Sequence, residues 1–152
     1  MLWLHPDDAP SCPQDVDRFT TAEIPSKKDD PMLHDLVTKW HIHGPCKGTV
    51  ADGPPCLDKH GNCQHDFPKP FRQHTTFDDK SMPAYMRRSP EEGGHTTEVY
   101  CRYLKRMVTV DNRYCVPYNR FLLAKYEAHC NIEVIGSVGM YWFIVCIDYF
   151  LI

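Results

Sequence analysis

Four side chains near the middle of the chain have the types and spacing of a metal centre: His43, Cys46, Cys56 and Cys63, within WHIHGPCKGTVADGPPCLDKHGNCQHDFPKPF. A thiolate or a neutral imidazole binds Zn²⁺ through a lone pair, and a structural site needs four such donors in a tetrahedron. The H-x-x-C pair supplies two of them from one tight turn. Gly44-Pro45, Gly53-Pro54-Pro55 and Gly61-Asn62 are turn formers able to fold the loop back on an ion. The spacing is not that of a common zinc finger, and His60 and His65 compete with His43 for the fourth position. The competing reading is three reduced cysteines packed as small hydrophobes beside surface histidines.

A second set of residues has the chemistry to bind phosphates. Residues 1–67 hold 6 basic and 11 acidic side chains, whereas residues 68–130 hold 11 basic and 7 acidic, a local balance of +4 in a chain of net charge -3. Lys69, Arg72, Arg87, Arg88 and Arg113 are the candidate phosphate contacts. Tyr85, Tyr103 and Tyr114 are interleaved as rings on which unpaired bases would stack, a combination suited to single-stranded DNA. An excess of four charges also suits an ordinary solvated face. No catalytic residue emerges: no cysteine has a nucleophile's context, and the chain contains no G-x-x-x-x-G-K-[ST] phosphate loop. No small-molecule substrate is evident.

These residues need elements to position them. Asp30 before Pro31 is an N-cap, and Leu33, Leu36, Val37 and Trp40 follow at helical spacing, predicting a helix over 31–41 that delivers His43 to the loop. His41 is expected at its end as a partner of the helix dipole. Ala84–Arg88 reads as a short strand. Val99–Val110 and Tyr114–Tyr118 read as a hairpin about Asp111-Asn112-Arg113. Asn119 caps a helix over about 120–128, and Ile132–Val134 begins another strand.

The chain thus divides into an extended arm (1–30), a helix with a Cys/His zinc loop (31–70), an α+β scaffold (71–138) and a hydrophobic tail (139–152). Its fold class is α+β: short helices and small antiparallel strands around the Cys/His loop, in an incomplete domain. Readings of the tail compete: a buried strand or strand pair, a membrane span, against which Met140–Ile152 is short and contains Asp148, or a divergent segment that is no designed element at all. Eight cysteines without a secretory leader argue for thiols or metal over disulfides.

HGPC, PC, G-x-C and FPKPF occur in one order with LWLHPDD, DVDRFTTAEIP, DPMLHDLVTKW, YMRR and DNRYCVPYNRFLLAKYEAHCNIEV. This succession resembles the region just after the nuclease motif of Helitron transposon proteins, rolling-circle replication initiators fused to a helicase, over roughly residues 1–138. The resemblance implies a nuclear, DNA-associated protein whose parent is a nuclease and ATP-dependent helicase. It also implies departures. The family's metal-holding His-hydrophobe-His strand would precede LWLHPDD. Its paired tyrosines, four apart with a lysine between them, would fall near Tyr141, where Val145 and Ile144 stand instead; Tyr149 is too far along to replace the second. The pattern is lost from about Gly139.

The expected function is therefore a Helitron-type fragment that retains zinc and nucleic-acid binding but neither nicks DNA nor hydrolyses ATP. The alternative, from a different class, is a stand-alone zinc-dependent protein-interaction module. A Cys/His/acid hydrolase has little support.

Overall fold

The computed structural model describes residues 2–3, 5, 7, 10, 12–46, 53–78, 82–137 and 140–147, with the backbone alone at 2–3, 135–137 and 140–147. Asp79, Asp148 and Tyr149 lie outside the described residues. Helix α1 (Pro13–Val16) opens on a capping box between Cys12 and Asp15. Helix α2 (Pro31–Trp40) begins as the sequence demands: Asp30 accepts the Leu33 amide, and Pro31 occupies the first helical position. Helix α3 (Arg120–Tyr126) is capped by Asn119, which accepts the Leu122 amide. It ends at Tyr126, short of 128, because Glu127 turns into the left-handed region with φ 48°.

The strands form three small antiparallel sheets. Strands β1 (Leu2–Trp3), β6 (Asn131–Ser137) and β7 (Met140–Ile147) assemble in the order β1-β7-β6. Strand β2 (Thr76–Phe77) pairs with β3 (Pro83–Ala84), and β4 (Thr97–Cys101) with β5 (Arg106–Val110). Helix and strand are both present around a His/Cys cluster, so the class is α+β. The tail resolves into β7, which lies between β1 and β6 with Ile144 opposite both Leu2 and Val134. No helix among the described residues is long and apolar enough to cross a membrane.

Two apolar clusters hold the elements together. In the first, Leu33 and Val37 of α2 pack with Ile24, Val110, Cys115, Tyr118 and Leu123. In the second, Val16 of α1, Ala22, Tyr85 and Val134 of β6 pack under Phe19 and Phe77. Each fully buried aliphatic side chain here contributes on the order of 1.5–3 kcal/mol.

Three expectations need correction. Residues 12–30 are not an extended arm: Val16, Thr20, Ala22, Glu23 and Ile24 are buried, and Thr21 bridges Tyr118. Their apolar residues lack a period because this segment threads through the core as irregular chain. The hairpin turns earlier than expected, at residues 102–105, pairing Val99 with Val108. Residues 112–114 form a 3-10 turn, after which Cys115 bridges only Ile42. The strand expected at 84–88 is confined to Pro83–Ala84, with Arg87 bridging Arg72 beyond it.

Candidate metal centre and the adjoining cleft

The metal centre is assembled from a helix end and a folded-back loop. After α2 the chain docks beside residues 114–116: Val116 N–H donates to the His41 carbonyl at 2.7 Å, and His43 N–H to the Tyr114 carbonyl at 2.8 Å. This fixes the His43 backbone. Its ring stacks on Phe67, centroids 4.3 Å apart, and meets His65 edge-on at 5.7 Å. The Gly44-Pro45 turn then brings Cys46 back, its Sγ 2.8 Å from His43 Nε2.

Cys56 and Cys63 arrive through a second device. Leu57 bridges Cys63, and Gln64 N–H donates to the Cys56 carbonyl at 2.7 Å. The loop between them is closed by Asp58, whose Oδ1 accepts the His60 and Asn62 amides at 2.8 and 2.9 Å. Gly61 adopts φ 80°, which favours glycine. Cys56 Sγ then lies 3.2 Å from Cys46 Sγ, and Cys63 Sγ 3.4 Å from His43 Nε2.

The four donor atoms all lie within 4.8 Å of one another. A tetrahedron with metal–sulfur bonds of about 2.3 Å and metal–nitrogen bonds of about 2.0 Å has edges of roughly 3.4–3.8 Å. The observed separations bracket those edges, so small side-chain rotations place the donors around one ion. Burial lowers the His43 pKa to about 4, assisted by His65 and Lys69, leaving a neutral ring with a lone pair. Burial, then contact with neighbouring thiols, pushes the Cys46 thiol well up, and burial raises Cys56 as well. Three crowded sulfurs cannot all ionise without a cation between them, and a bound divalent metal supplies that charge. His43, Cys46, Cys56 and Cys63 together form a cluster whose geometry could hold a metal ion. Of the rival fourth donors, His60 is exposed and outside the cluster. His65 stands against the His43 ring, beside the cluster and not in it.

Other cysteines are placed differently. Cys101 and Cys115 are buried free thiols, while Cys130 is disulfide-bonded, so the expectation of thiols and metal alone does not hold there. His41 is fully buried at the end of α2 between Tyr118 and His129. Burial, then His129, takes its pKa down to about 3, so it is uncharged and does not serve the helix dipole.

Compared with known proteins, the chain matches no family model and no curated protein.

The five cations singled out in the sequence do not form one surface. Arg87 is an interior residue, 4% exposed, and its Nη1 donates to the carbonyls of Asn112 at 2.7 Å and Cys115 at 2.5 Å. Arg88 forks onto Glu23, and Arg113 onto Asp111 while its guanidinium lies 4.6 Å above Phe71. Tyr85 is buried, its hydroxyl accepting the Val134 amide, and Tyr114 packs against the first core cluster. Burial therefore removes Arg87, Tyr85 and Tyr114 from the expected backbone-and-base grip. The spacing of arginines in a sequence carries no sign of which guanidinium is already spent.

Lys69 and Arg72 are left, and they border a cleft of about 530 Å³ beside the metal cluster. Its walls include His43, Asp66, Phe67, Tyr85, Arg87 and, from β6, Asn131 and Glu133. Asn131 and Glu133 drew no attention in the sequence. Their only signal is an i, i+2 spacing on a strand, which puts both on one face.

Proposed function

We propose that this chain is the zinc-ordered segment of a Helitron-type replication initiator and that it binds single-stranded DNA next to its zinc loop, in the nucleus. One observation supports this reading above the others: the motifs by which the chain resembles that family, HGPC, PC and G-x-C, are the ones whose donor atoms converge. Three sulfurs and one imidazole nitrogen form a borderline-soft set that suits Zn²⁺ over Mg²⁺ or Ca²⁺, which prefer oxygen. His43, Cys46, Cys56 and Cys63 would hold the ion. With all four positions taken by protein, its contribution would be to fold the loop, with no open position for chemistry.

The DNA-binding half of the reading rests on Lys69 and Arg72, whose charges face a cleft that the zinc loop itself walls. Metal analysis of the purified protein, paired with a single-stranded oligonucleotide titration at two salt concentrations, tests both halves. One zinc per chain and an affinity that falls with salt are expected. Absence of zinc overturns the metal assignment. Zinc without DNA affinity moves the protein to the interaction-module class. Parentage has its own test: in the genomic flanks, an in-frame upstream H-x-H strand and a downstream phosphate loop are expected, and flanks lacking both refute it.

A further inference from the structure

The cleft beside the metal cluster is lined by cations and by hydrogen-bond acceptors, and the pairing points to a ligand. Lys69 and Arg72 stand at its rim, and Arg87 lines it from the interior. Among the described residues no carboxylate lies within ion-pair distance of Arg87, whose partners are backbone carbonyls. Glu133 and Glu23 act on the Arg87 charge through space without an ion pair, so the rim cations Lys69 and Arg72 are the groups placed to take an anion.

The same cleft also carries acceptors. Asn131 is 1% exposed, and its Nδ2 donates to Glu133 Oε1 at 3.1 Å. That bond turns the amide so that Oδ1 is buried with no hydrogen-bond partner. A buried acceptor without a donor is unfavourable by about 1–3 kcal/mol, so a ligand that donates to it is favoured. Glu133 sits two residues along the same strand and lines the same cleft, so its carboxylate adds a second acceptor.

We propose that this cleft is a subsite for one nucleotide of single-stranded DNA, with the phosphate on Lys69 and Arg72 and a guanine edge on Asn131 and Glu133. The inference rests on the single-strand-binding reading and adds a base preference to it. Guanine presents two adjacent donors, N1–H and the N2 amino group, to paired acceptors. Thymine offers a single N–H between two carbonyls, which a carboxylate repels. The cleft volume of about 530 Å³ accommodates a nucleotide, lying within the roughly 300–1,000 Å³ usual for small-ligand sites.

The test is a fluorescence-anisotropy titration of the full zinc-loaded chain with three labelled oligonucleotides of about 12 residues: all dT, dT with one central dG, and dT with deoxyinosine at that position. The dG strand is expected to bind about tenfold tighter than all-dT, and inosine, which lacks the N2 amino group, in between. In Glu133→Gln the dG advantage over all-dT disappears, part of the change coming from tighter all-dT binding once the carboxylate no longer repels thymine. Binding to all three strands with equal affinity overturns the inference and leaves single-strand binding intact. A dG preference that survives Glu133→Gln also overturns it. Binding to none of the strands overturns the underlying reading as well. Should Glu133→Gln fail to fold, the inosine strand decides: affinity equal to that of dG refutes the proposal.

Discussion

The Arg88 guanidinium donates from Nε and Nη2 to both carboxylate oxygens of Glu23, joining residues 65 apart in the chain. The same carboxylate accepts the Arg88 amide at 2.8 Å and the Asn112 side chain at 3.2 Å. Asn112 in turn accepts the Ile24 amide at 2.7 Å, so one network ties the N-terminal segment to the 3-10 turn at 112–114. Arg88 is a structural cation despite its half-exposed side chain.

Arg88→Ala should therefore lower stability by about 2–3 kcal/mol, because Glu23 loses its charged partner at a mostly buried position. Chemical denaturation measures it. The same substitution should leave single-strand affinity within about twofold once measured on folded protein, since a guanidinium already paired releases few counterions. A large loss of affinity at unchanged stability would return Arg88 to the DNA-binding set.

The metal cluster gives a second prediction. Cys56→Ser removes one of four donors, and Tm should fall by on the order of 10 °C, with a matching fall when a chelator is added to the unaltered protein. Chelator should then shift the variant's Tm far less. Loading ligands that hold protons in the apo protein must also release them, so zinc affinity should weaken as pH falls, and zinc titrations in buffers of differing ionisation enthalpy count the protons released. A chelator-insensitive Tm in the unaltered protein contradicts the site.

Two helix starts and the Cys/His cluster were legible because both are local. Asp30-Pro31 and Asn119 announce helix starts by one residue's chemistry, and the H-x-x-C spacing needs only a turn. What escaped depends on partners far away in the chain. Arg87 and Lys69 look alike as letters, yet one bonds carbonyls 25 and 28 residues distant and the other borders solvent. The first thirty residues look like an arm until Tyr118 closes over them, its hydroxyl bonding the Glu23 carbonyl at 2.9 Å. Asn131 and Glu133 acquire meaning only from the cleft opposite them.

Gly94 is a third point of stress. A Cβ at this position would lie 2.1 Å from the Arg88 carbonyl oxygen and 2.8 Å from Asn112 Nδ2. Backbone cannot yield as a flexible side chain can, and the displaced groups belong to the Glu23 network. Gly94→Ala is expected to destabilise by about 1–3 kcal/mol, read as a lower denaturation midpoint at an unchanged denaturant slope. Gly44→Ala serves as the control, since nothing lies within 4 Å of its added Cβ. Equal effects from the two would show that loss of glycine's flexibility, not the clash, is responsible.

The rim of the cleft yields the last prediction. Lys69 lies 5.5 Å from the Phe67 ring centroid, and Arg72 is exposed next to the Arg87 bridge. Each phosphate neutralised on a single strand contributes about 0.7 to the slope of log affinity against log salt. Lys69→Ala combined with Arg72→Ala should thus flatten that slope by about 1.4 and weaken binding at low salt. Arg113→Ala is the comparison. Its guanidinium is held by Asp111 at 2.7 Å and stacked on Phe71, so its removal should change the slope little. If Arg113→Ala flattens the slope as much as the double substitution does, phosphate contact is spread over the basic block and the cleft is not its centre.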